Sequence, residues 1–165
     1  MTNLLGVAVT GSPIVAGIFA NDGGVPKLPV PSAEVGLRGL VGDRQRMRKY
    51  HGGPLQALCL WSAEVVAALQ AEGHPVFPGA CGENLSLAGL DWSFLEAGAR
   101  LRIGTVLAEL TLPTTPCKQI RPYFADGAIR RVHHDRYPGW SRWYASVVEP
   151  GRIALGDRVA IEVPA

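Results

Sequence analysis

The sequence predicts a mainly β protein, a compact β-barrel decorated by short helices. Three observations lead there. Glycine and proline are abundant, at 20 and 13 of 165 residues, which favours many short elements joined by turns over a few long helices. Short apolar runs rich in β-branched residues recur at near-regular spacing between those turns. Only one stretch, Ala63 to about Glu72, carries the apolar spacing and boundary residues of a convincing helix. The length is one domain's worth, residues 1–165, enough to bury a substantial core without disulfide staples.

Composition narrows the function classes. A formal net charge of +2 is too mild to announce a nucleic-acid binder, so no nucleic-acid partner is expected, although a local anion site is compatible with it. The three cysteines, Cys59, Cys81 and Cys117, are odd in number, far apart and without a CxxC pair. Neither a disulfide framework nor a cysteine zinc cage is indicated, and a reducing compartment is. Residues 1–11 lack the basic flank of a signal peptide, and no apolar run reaches the length of a membrane span. The expectation is a cytoplasmic protein with no membrane partner.

In chain order, Leu4–Thr10 reads as a first strand ended by Gly11-Ser12-Pro13, and 14–31 as a surface excursion with short extended pieces. Ala33–Leu37 is a strand before the glycine-rich turn 39–43. In 44–49, if extended, Arg44, Arg46 and Arg48 share one face. That face could pair with a phosphate or simply protect an edge strand. His51-Gly52-Gly53 sets an imidazole that can move a proton near neutral pH beside backbone able to approach a ligand closely.

Ala57–Trp61 is a buried strand with Cys59 as a core residue. Ser62 caps the helix and Gly73 stops it. Residues 81–87 lead from glycine into another strand, with Glu83 and Asn84 at its start. Asp91 caps a one-turn helix, and Ala99–Ile103 and Val106–Leu112 form a hairpin about Gly104-Thr105. His133 and His134 lack the i, i+4 spacing that aims two imidazoles at one metal, so zinc is not expected. Trp140–Val148 is a strand with Trp140, Arg142 and Tyr144 on one face and Trp143 and Ala145 on the other. Short strands at 153–155 and 158–163 close the chain.

The chemical centre is Cys117. It follows an apolar strand and Thr115-Pro116, where threonine suits an N-cap and proline the first helical position. Cys117 would then lie in a first helical turn, where unpaired N–H groups and the helix dipole favour thiolate. A thiolate attacks electrophiles or binds soft metals. A buried, inert cysteine is the alternative.

Taken in order, Gly-Leu-Val-Gly-Asp-Arg (39–44), His-Gly-Gly-Pro (51–54), Pro-Gly (78–79), Gly-Glu-Asn-Leu (82–85), Thr-Pro-Cys (115–117), Gly-Trp (139–140) and Gly-Asp (156–157) closely resemble the MOSC domain family. The likeness runs from about residue 30 to 165, in the small stand-alone bacterial form. It implies a MOSC-type β-barrel associated with the molybdenum cofactor (molybdopterin), and makes Cys117 the functional thiol and the molybdenum ligand. It further implies reduction of small N-hydroxylated substrates with electrons from an external reductase. Two alternatives also come with the family: a sulfur carrier using a Cys117 persulfide, and a non-catalytic cofactor carrier.

By this resemblance Cys117 and His51 are catalytic candidates, and Arg44, Gly52, Asn84, Thr115 and Cys117 are cofactor contacts. Pyridoxal phosphate is not expected, because Lys27, Lys49 and Lys118 lie in no recognisable site for it.

Overall fold

The computed structural model describes residues 11–21, 23–43 and 53–162. The predicted strand at 4–10, the arginine run at 44–49, and His51 and Gly52 lie outside the described residues. Within them the chain is mainly β with few short helices, as expected. The strands are β1 (Ile14–Ala20), β2 (Leu28–Pro29), β3 (Ser32–Gly36), β4 (Gly39–Leu40), β5 (Leu58–Ser62), β6 (Leu85–Ala88), β7 (Arg100–Ile103), β8 (Val106–Pro113), β9 (Trp143–Glu149), β10 (Gly151–Ala154) and β11 (Val159–Glu162). The one α-helix among the described residues is α1 (Ala63–Ala71), and the other helical pieces are short 3-10 turns.

Eight strands form one sheet in the order β11-β7-β8-β9-β5-β6-β1-β2, and β10-β3-β4 form a second. Both are open, so the predicted closed barrel is not found among the described residues. The long sheet nevertheless curls until its two ends touch. Ile14 bridges Arg158, Val15 N–H donates to Asp157 O at 2.9 Å, and Val159 N–H donates to Pro13 O at 3.0 Å. These contacts are confined to the starts of β1 and β11, so the ends meet at a corner and do not pair along their lengths.

Several elements follow directly from local chemistry. Ser62 Oγ accepts the Val65 N–H at 3.1 Å and caps α1, while Val65, Val66 and Leu69 face inward. Each of those side chains contributes about 1.5–3 kcal/mol by leaving water. β7 and β8 form the predicted hairpin, with Ile103 opposite Val106. β5 is buried at all five positions because it is flanked by parallel β6 and antiparallel β9 and covered on both faces.

Two expectations need correction. Residues 14–20 are a strand and not a surface excursion, with Val15 and Ile18 fully buried. A register shift between Val15 and Gly17 disrupts the alternation, and the Phe19 ring occupies the space a side chain at 17 would take. The strand expected from Trp140 begins only at Trp143. The carbonyls of Trp140 and Ser141 instead accept the buried indole N–H groups of Trp61 (3.0 Å) and Trp92 (2.7 Å), which removes them from the ladder.

Candidate functional site

β8 ends at Pro113, and Thr114 N–H donates to Arg142 O at 2.9 Å, which ties the segment carrying Cys117 to the entrance of β9. The helical reading of this segment is overturned. The helix is a six-residue 3-10 turn, Lys118–Tyr123, and Cys117 itself is its N-cap, extended at φ −116°, ψ 163°, with no side-chain cap bond. Thr115-Pro116 takes an extended path because proline's fixed φ suits extended backbone as well as a helix start, and the residue before proline is biased away from helix. What distinguishes Cys117 is therefore access and not a helix dipole. It is half-buried, whereas Cys59 and Cys81 are buried.

Beneath it lies a buried polar cluster. Cys59 Sγ is 3.9 Å from Thr114 Oγ1. Cys81 and Tyr144 both lie within electrostatic reach of the Cys117 side chain. Burial pushes both their pKa values up, and that of Cys59 as well. These two inner thiols therefore stay protonated near neutral pH.

Arg142 enters the same cluster from β9's leading end and donates through Nη1 to Cys81 O. Its Nε is buried without a hydrogen-bond partner. Burial works against its charge, and the neighbouring Cys59, Cys81, Tyr144 and Glu83 groups favour it. Glu83 Oε1 accepts the Cys81 N–H at 3.1 Å, but its Oε2 is also buried and unpartnered. Burial raises the Glu83 pKa, opposed by backbone N–H groups and by Arg142. Two orphaned ionisable atoms in one buried cluster mark a place where a proton or an anion would be welcome.

Asn84, fully buried, uses its amide at both ends. Oδ1 accepts the Cys59 N–H at 2.9 Å, and Nδ2 donates to Asp43 Oδ2 at 2.9 Å. Asp43 also pairs with buried Lys27 at 2.6 Å and accepts the Asn21 N–H. The network pins residue 43, immediately before Arg44, against the strand that holds Cys59.

Thr115 lies apart from this cluster. With Thr114, Trp143, Glu96 and the 133–135 segment it lines a cleft of about 460 Å³. The structure thus brings Cys117 near Cys81 and Tyr144, gives Asn84 to the Asp43 network, and sets Thr115 in the cleft. Arg44, His51 and Gly52 lie outside the described residues. Sequence reasoning passed over Arg142, Asp43 and Tyr144 as members of the cluster. The available signal was Arg142 itself, a charge inside an aromatic strand, where charges are rare unless paired.

A family model described as the MOSC domain matches residues 47–160. Protein YiiM of Escherichia coli strain K12 is 32% identical over 124 residues, 70% of this chain and 53% of its own length. YflK of Bacillus subtilis strain 168, an uncharacterized protein, is 30% identical over 140 residues, 84% of this chain and 62% of its own. The chain spans between half and two thirds of the length of these two relatives. The crystal structure of a hypothetical protein matches with a TM-score of 0.70 at 28% identity, over 88% of this chain and 66% of that one. The crystal structure of YiiM from Escherichia coli matches with a TM-score of 0.70 at 24% identity, over 94% and 72%, a likeness of fold.

Proposed function

The chain belongs to the MOSC domain family, and on that premise we propose that it binds a molybdenum–pterin cofactor through Cys117 and reduces small N-hydroxylated molecules with electrons from an external reductase. The observation that carries this reading is the contrast among the thiols: two are buried and held protonated beside Arg142, whose Nε lacks a hydrogen-bond partner, while the third is half-buried. The donor set suits such a group, since a thiolate is a soft ligand and Arg142 offers positive charge to an anionic one. The family's barrel is supported to the extent that the sheet ends touch at Ile14 and Arg158.

When bound, the cofactor supplies a metal centre that relays two electrons to an N–O bond. The overall change is cleavage of that bond with uptake of two protons and release of water. The protein's own part is positional. Cys117 would hold the metal, and Asn84 holds Asp43, the residue that precedes Arg44 in the sequence. Arg44 and Thr115 would contact the cofactor, Gly52 would admit close backbone approach, and His51 would exchange protons near neutral pH.

The test is metal content of wild type beside Cys117→Ala, both made in a host with the cofactor pathway intact, with turnover of an N-hydroxylated purine. Molybdenum near one per chain in wild type and near zero in the variant is expected. Absence of molybdenum from wild type, with a sulfur adduct on Cys117 after exposure to a cysteine desulfurase, would instead favour the sulfur-carrier reading.

A further inference from the structure

Side chains alternate across a strand, and β9 carries different chemistry on its two faces. Tyr144 turns toward Cys59, Thr114 and Cys117. Trp143 turns the other way, meeting the His134 ring edge-on at 5.8 Å and lining the 460 Å³ cleft. The cleft and the thiol cluster therefore lie on opposite faces of β9 and share Thr114.

We propose that this cleft is a second binding site, for a small organic cation with an apolar body. Its volume lies in the range of small-molecule sites, about 300–1,000 Å³. One wall is apolar, built from Leu95, Leu112, Pro113 and Trp143. The charged residues among the lining are the acids Glu96 and Asp135, with neither lysine nor arginine. Both acids are exposed, and among the described residues their carboxylates have no ion-pair partner.

His133 Nδ1 accepts the Asp135 N–H at 3.2 Å, and His134 Nδ1 is buried without a hydrogen-bond partner. Among the described residues no three His, Cys, Asp or Glu side chains are placed to hold a metal ion. An ammonium or amidinium group at the acidic part of the lining, with an apolar body against Leu95 and Trp143, matches the chemistry of both halves of the cleft.

The probe is benzylamine, with neutral benzyl alcohol and anionic phenylacetate as controls, titrated into isotopically labelled protein while backbone and indole N–H shifts are followed. Benzylamine is expected to move residues 95–97, 133–135 and the Trp143 indole, with benzyl alcohol about tenfold weaker and phenylacetate without effect. Glu96→Gln with Asp135→Asn, exposed changes whose folding the same spectra verify, should weaken benzylamine by about tenfold or more. Cys117→Ser should leave its binding unchanged, which separates this site from the thiol site. No shift up to about 10 mM benzylamine, equal binding of benzyl alcohol, or shifts centred on Cys117 and Tyr144 would overturn the proposal.

Discussion

Asn84 Nδ2 donates to Asp43 Oδ2 across 2.9 Å, joining two residues that are 41 positions apart in the chain. The same amide accepts the Cys59 N–H, and the same carboxylate pairs with Lys27. A fully buried amide engaged at both ends organises three segments at once.

Removing it leaves the buried Cys59 N–H without its acceptor and takes one of three donors from Asp43, which keeps Lys27 and the Asn21 N–H. Each orphaned buried group costs about 1–3 kcal/mol. Asn84→Ala is therefore expected to lose about 1–3 kcal/mol of stability by urea unfolding, chiefly for the Cys59 N–H. A loss below about 1 kcal/mol would show that the network closes over the gap.

Cysteine reactivity should divide one against two. Cys117 is half-buried, and Cys59 and Cys81 are buried with thiols pushed up by burial. A mild alkylating reagent on the native protein should modify Cys117 first, and Cys59 and Cys81 only after denaturant is added, read by peptide mass. Equal labelling of all three in the native state would contradict the arrangement on which the proposed chemistry rests.

Glu83 makes stability depend on pH. Its folded pKa lies above the ordinary glutamate value, chiefly through burial. Its contribution is then fully present below the unfolded pKa and diminishes as pH rises through the folded one. Glu83→Gln keeps an acceptor for the Cys81 N–H and removes the titration. The variant should show a flatter stability curve on rising from the ordinary glutamate range toward neutrality, measured by denaturant midpoints at a series of pH values. An unchanged slope would mean that Glu83 ionises in the folded protein as readily as in the unfolded one.

Local chemistry was legible in the chain itself. The Ser62 cap, the inner face Val65, Val66, Leu69 and the two-residue turn at 104–105 all depend on neighbours a few positions away. Where an element was misjudged, a distant partner had overridden that chemistry. β1 is held by pairing with β6, Ile18 opposite Leu85, and the indoles of Trp61 and Trp92 hold the carbonyls of Trp140 and Ser141 out of the ladder. The site divides the same way. Cys117 stood out by its position after Thr115-Pro116, but its conformation as an N-cap was misread.

The sequence by itself determined a β-rich chain with one capped helix, a MOSC-like order of motifs and a cysteine at a strand end, because each is encoded in spacing and side-chain type. The packing of distant segments decides that β1 lies beside β6, that Arg142 and Glu83 are buried against the Cys81 backbone, and that Trp143 lines the cleft on the other face of β9. Those relationships join residues tens of positions apart. Which pair meets is set by the packing of the whole sheet, and no local pattern carries that information.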